Sequence, residues 1–117
     1  MDRFPKLNIV LPHAGGVIPY LAGRLEHSQN VRPEVKGTAQ RPFMDYVRRF
    51  HYDTITHSPQ LLKFLVDLVG VDRVMLGSDY CFDMGYERPR EIIDALKLRA
   101  ADRDALYGGN AARVLRL

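Results

Sequence analysis

The sequence predicts an α/β fold built on a parallel sheet. Three observations carry that prediction. Short runs of strand length, LNIVL (7–11), HYDTIT (51–56) and VDRVMLG (71–77), alternate with segments of helical spacing. Strands that alternate with helices form crossover units, for which right-handed connections are expected. The stretch VMLG (74–77) is continuously apolar, the pattern of a strand buried on both faces.

Each element has its own signal. LNIVL runs into the turn PHAGG. In VIPYLAGRLEH, Val17, Ile18, Leu21, Ala22 and Leu25 fall at helical spacing. Pro19 fits the first turn of that helix, where its missing N–H is no loss. SQNVRPEVKGTAQRP (28–42) is polar and rich in turn formers and reads as a loop, and FMDYVRRF as a short helix. HYDTIT is β-branched and aromatic, which favours a strand. A helix then starts with Ser58 as cap and Pro59 at its first position, and it stops at Gly70. ERPREIIDALKLRA predicts a helix beginning near Pro89. ADRDALYGGNAARVLRL predicts a last helical stretch interrupted at Gly108–Gly109, with Asn110 capping a short final helix.

Composition narrows the class. The 117 residues suffice for one small domain, and 46% hydrophobic with 26% charged content is that of an ordinary soluble domain. The net charge of +3 comes from scattered arginines. Without a basic stripe interleaved with aromatics, nucleic acid is not an expected partner. No apolar run reaches the roughly 18–20 residues of a membrane span, and MDRFPKLNIV lacks a signal-peptide layout. The lone cysteine, Cys81, excludes an internal disulfide and a cysteine-rich zinc site; a cytoplasmic location is the expectation.

Two residues that can carry chemistry stand at strand ends. His13 follows LNIVL and Asp79 follows VMLGS. In a parallel sheet both ends lie on one edge, so the side chains can converge. An imidazole and a carboxylate at one mouth suit acid–base work or metal binding. The glycines after His13 let backbone approach a ligand. His57, at the end of HYDTIT, can reach the same edge and is a candidate substrate-binding residue, although it also sits just before a helix cap. Read singly, His13 can be a turn residue and Asp79 a cap. Asp53 alternates with Tyr52 and can face inward. His27 and His51 read as structural, and Cys81 as a small buried hydrophobe.

FPKLNIVLPHAGGVIPYLAGRLEH, FHYDTITHSPQLLKFLVDLVGVDRVMLGSDYCFDMG and LYGGNAARVL together resemble the C-terminal part of the amidohydrolase-related metal-dependent decarboxylases. The motifs occur in the family's order from Phe4 to about Leu115. The resemblance implies a (β/α)8 TIM barrel of the metal-dependent hydrolase superfamily, with LNIVL, HYDTIT and VMLGS as strands six, seven and eight. It implies one divalent metal, foremost Zn2+, at the C-terminal mouth. His13 matches the proton-transfer histidine of the family's H-G/A-G-G motif, and Asp79 the metal-ligating aspartate after the last strand. Arg24 matches an arginine that reaches a substrate carboxylate in the neighbouring subunit, which implies a homodimer of the intact protein.

The family's His-x-His pair and its mid-barrel histidine have no counterpart in this sequence, nor do its first five strands. A closed barrel of this kind takes roughly 250 residues. The expectation is therefore that residues 1–117 are a C-terminal fragment of a barrel domain, inactive alone, whose partner is the missing N-terminal half. The function expected of the completed barrel is decarboxylation of a small unsaturated or aromatic carboxylic acid. The alternatives are a metal-dependent hydrolase of the same superfamily and a non-catalytic small α/β binding or interaction module.

Overall fold

Ser58, Pro59 and Gly70 delimit the best-defined helix of the chain, α4 (Pro59–Val69). The Ser58 Oγ accepts the Leu61 N–H at 3.4 Å, satisfying one of the donors that a helix start leaves unpaired. Leu62, Leu65, Val66 and Val69 recur at i, i+3, i+4 and i+7 and are the buried face. Burying each such side chain contributes about 1.5–3 kcal/mol. Gly70 ends the helix at φ 97°, a conformation that glycine adopts without the Cβ penalty.

A computed structural model describes all 117 residues. The helix α4 packs with a three-stranded parallel sheet in the order β1 (Val10–Leu11), β2 (His51–Asp53), β3 (Val74–Met75). Val10 pairs with His51, Tyr52 with Val74 and Asp53 with Met75. The remaining helices are α1 (Ile18–Val31), α2 (Pro33–Lys36), α3 (Phe43–Val47), α5 (Arg90–Asp94), α6 (Ala100–Asp104) and α7 (Asn110–Leu115). Tyr52 and Val74 from the sheet join Leu62, Leu65, Ile93 and Leu106 from the helices in one core.

The strands are shorter than expected. In LNIVL only Val10–Leu11 is strand, although the Ile9 carbonyl still accepts the His51 N–H at 2.8 Å. HYDTIT stops at Asp53, because the Ile55 N–H turns back to the Asp53 carboxylate at 3.0 Å. Val71–Arg73 is a 3-10 turn leading into β3. The helices also differ. The α1 helix continues past His27 to Val31, and α2 lies in the stretch expected to be loop. The 87–100 helix is split: α5 ends at Asp94 and Lys97 takes φ 52°.

Gly108–Gly109 do not break the last helix. Residues 105–109 widen into a π-helical turn that joins α6 to α7. The Leu106 carbonyl in that turn accepts the Leu76 N–H at 2.9 Å, tying the helix to the end of β3. Asn110 is buried and is not a cap. Its amide donates to the Val71 and Val74 carbonyls, both at 2.8 Å. Arg113 donates to the Asp72 carbonyl at 2.7 Å and to Asn110 Oδ1 at 3.0 Å. Cys81 is exposed, against the expectation of a buried hydrophobe. No helix is long and apolar enough to cross a membrane.

Candidate active site

The parallel register brings the three strand ends to one edge. β1 leads through Pro12 into a tight turn, His13–Gly15. His13 and Ala14 take φ 53° and 54°, and Gly15 and Gly16 follow at 78° and 59°. Left-handed geometry at a non-glycine residue costs about 1–3 kcal/mol and persists only where surrounding structure over-determines it. Part of the restraint is packing: a Cβ on Gly15 would lie 2.7 Å from the Tyr52 ring. The Tyr52 hydroxyl donates to the Val47 carbonyl at 2.7 Å, and burial pushes its pKa up to about 12. Tyr52 therefore supports the turn, keeps its proton near neutral pH and takes no part in proton transfer.

The third strand end is equally constrained. After β3 the chain passes Gly77 and Ser78 and presents Asp79 at φ 56°. The Tyr86 N–H closes on the Ser78 carbonyl at 2.7 Å, and the Phe82 N–H on the Asp79 carbonyl at 3.0 Å. A Cβ on Gly85 would meet the Ser78 carbonyl oxygen at 2.8 Å, so this loop admits only glycine there.

These two turns bring together the residues singled out from sequence. His13 Nε2 lies 3.4 Å from Asp79 Oδ1, with the imidazole 61% exposed and the carboxylate 16% exposed. The convergence expected of two parallel strand ends is thus observed. No other lysine, arginine or histidine of the chain pairs with Asp79. A largely covered carboxylate with one imidazole partner retains lone pairs for a cation or a proton.

The other candidates lie elsewhere. His57 is exposed at φ 52° and stacks on the Tyr86 ring at 4.5 Å between centroids. Burial raises the Tyr86 pKa. Arg24 is exposed on α1 and enters none of the chain's ion pairs. An apolar cleft of about 310 Å³ opens beside the His13 turn, between Val17 and Tyr20 on one wall and Leu61 and Phe64 on the other. His13 lines it, whereas Asp53 and Asp79 do not.

Asp53 is the residue that sequence reading underweighted. Its carboxylate accepts the His13 N–H at 2.9 Å and the Ala14 N–H at 2.8 Å. The signal was available: Asp53 is an acid at a strand end, as Asp79 nearly is. Reading HYDTIT as strand to residue 56 placed it mid-strand and concealed that likeness.

No group of three or more His, Cys, Asp or Glu side chains is assembled. A catalytic zinc takes three protein ligands and keeps an open position. Asp79 therefore fits one place in a ligand set, with His13 beside it, and these residues alone do not make a complete metal site.

The amidohydrolase family model matches residues 1–117, and the chain belongs to that family. It is 36% identical over 119 residues to 2-amino-3-carboxymuconate-6-semialdehyde decarboxylase of Dictyostelium discoideum, covering 99% of this chain and 33% of the relative. Its structure is similar to that of 5-carboxyvanillate decarboxylase from Sphingomonas paucimobilis, with TM-score 0.84 and 30% identity over 99% of this chain and 36% of that one. A dihydroxybenzoic acid decarboxylase from Polaromonas sp. JS666, solved with manganese and 2-nitroresorcinol, also has TM-score 0.84, at 26% identity over 99% of this chain and 36% of that one. The chain thus spans about a third of the length of the relatives it matches, and its three strand–helix units have the fold of part of a TIM barrel.

Proposed function

We propose that residues 1–117 act as the C-terminal part of a divalent-metal-dependent carboxy-lyase for a small aromatic or unsaturated carboxylic acid. The observation that carries this reading is the pairing of His13 with Asp79 at the C-terminal edge of a parallel sheet, 3.4 Å apart. The open side of β1 supports a larger assembly. Val10 is 46% exposed and Leu7 50% exposed, whereas strands of a parallel sheet are ordinarily covered on both faces. Closing the sheet into a barrel from β1 onward would bury its exposed faces and supply the ligands that this chain lacks.

In this reading Asp79 is one oxygen ligand of the metal. The metal, when bound, acts as a Lewis acid that polarises the substrate. Manganese is the metal in the Polaromonas relative, and the family resemblance points to zinc; the role asked of Asp79 is the same for either. His13 delivers a proton to the carbon that bears the carboxylate. The bond between that carbon and the carboxylate then breaks, its electron pair stays on the protonated carbon's framework, and CO2 leaves. Arg24, exposed and outside the chain's ion pairs, would bind a substrate carboxylate of a neighbouring copy in a homodimer. His57, stacked on Tyr86, would contact substrate at the same edge.

The test is release of labelled CO2 from small aromatic and unsaturated acids carrying a 13C carboxylate. It uses the chain assembled with a barrel segment that supplies the earlier strands. A product equal to substrate minus CO2 supports the carboxy-lyase. A hydrolysed product with the carboxylate retained sinks it in favour of a hydrolase.

A further inference from the structure

Three strand ends meet at this edge, and the reaction as proposed uses residues from only two of them. The third carries Asp53. We infer that Asp53 is the positioning residue of the site: its carboxylate fixes the turn that holds the His13 imidazole opposite Asp79. This inference rests on the reading in which His13 moves a proton.

A structural role for Asp53 alone would need less. An aspartate at a strand end commonly accepts a backbone N–H two residues on. Asp53 Oδ1 does so, taking the Ile55 N–H at 3.0 Å. The remaining bonds reach across 40 and 39 residues to His13 and Ala14, with Oδ2 engaged by the His13 N–H alone. Those two residues are the non-glycine pair held at positive φ in the turn. The turn's own hydrogen bonds, Gly15 N–H to the Pro12 carbonyl and Gly16 N–H to the His13 carbonyl, leave the His13 and Ala14 N–H groups to Asp53. Bonds from N–H to a carboxylate are about twice as strong as those to a neutral acceptor.

The third strand makes room for the device. A Cβ on Gly77 would lie 2.9 Å from Asp53 Cβ and 3.3 Å from its Cγ. Thr54 Oγ1 accepts the Gly77 N–H at 3.2 Å and keeps that backbone in place. So β1 brings the turn, β2 the carboxylate, and the segment after β3 the space. Asparagine is no substitute, because it offers one acceptor oxygen and turns a donor toward the second N–H.

Two arms test the proposal. In the first, amide hydrogen exchange of the 117-residue chain is read by mass spectrometry for wild type and Asp53→Asn. The expected result is exchange about tenfold faster or more at His13 and Ala14, with the 59–69 amides unchanged. Unchanged protection at His13 and Ala14 overturns the proposal. Should Asp53→Asn loosen the whole chain, Gly77→Ala displaces the carboxylate without removing it. The same selective loss is then expected, and a loss that spares residues 13–14 overturns the proposal.

In the second arm, turnover is measured in the assembled barrel. Asp53→Asn should lower kcat with KM little changed, and it should have no further effect on kcat in a His13→Asn background. An equal loss in both backgrounds means that Asp53 does not act through His13. A fully active His13→Asn barrel sinks the proton-transfer reading itself. The exchange arm still judges whether Asp53 holds the turn.

Discussion

At the N-terminal end of the sheet, Asn110 and Arg113 bind the Val71, Asp72 and Val74 carbonyls. At the C-terminal end, His13, Ala14 and Asp79 sit at positive φ, and an imidazole and a carboxylate face each other within reach of solvent. The same three strands thus have one end tied by polar contacts and one end at which the candidate site residues converge. Strain is tolerated at the second because the core and the polar bolt at the first supply the stability that holds it.

That contrast predicts opposite responses to mutation. The largest effect belongs to His13→Asn in the assembled barrel. Loss of a positioned proton donor lowers turnover by about 100- to 10,000-fold. The exposed side chain makes no core contact, so the melting temperature should stay within a degree or two. Steady-state kinetics and calorimetry on one preparation check both halves, and wild-type turnover would break the contrast.

Next comes Asn110→Ala at the other end. It removes two hydrogen bonds made by a buried amide, leaving the Val71 carbonyl with the Val74 N–H, so stability should fall by about 1–3 kcal/mol. Denaturant unfolding measures this, and residual turnover under native conditions should be unchanged. A loss below about 0.5 kcal/mol would mean that the bolt is not what holds α7 to β3.

The His51 effect is smaller and confined in pH. His51 is buried at the start of β2, and its Nδ1 has no hydrogen-bond partner. Burial lowers its pKa from 6.5, and the nearby Arg73 and Arg113 lower it further against the opposing pull of Asp72. The unfolded chain therefore binds the proton first as pH falls. Stability attributable to this site is complete above pH 6.5 and is lost as pH drops below it toward the folded-state pKa. Chemical denaturation across that range should show the decline in wild type and a flatter profile in His51→Phe. Identical profiles would remove His51 from the account. Ser58→Ala is the mildest change. Loss of the α4 cap costs about 1 kcal/mol, read as a shift in the unfolding midpoint without any effect at the edge.

Much of this was legible in sequence because it rests on local rules. Ser58-Pro59 and Gly70 bracket α4 as capping chemistry requires. A strand-end histidine and a strand-end aspartate converge once the sheet is parallel. What failed was long-range. Asn110 looked like a cap because its partners, Val71 and Val74, lie 39 and 36 residues away. Gly108–Gly109 looked like a break because no local rule announces a π turn held by Leu76. Asp53 reads as a mid-strand residue for the same reason: its bonds to the His13 and Ala14 N–H groups span 40 and 39 residues, and the β-branched residues after it imitate a longer strand.

The central claim is that these strand ends contribute the metal and proton chemistry of a carboxy-lyase. Its most direct test is metal content and CO2 release of the assembled, manganese-loaded barrel, compared between wild type and Asp79→Asn. The account predicts about one bound metal and steady CO2 release for wild type, and loss of both in the variant. An Asp79→Asn barrel that keeps its metal and its rate would contradict it.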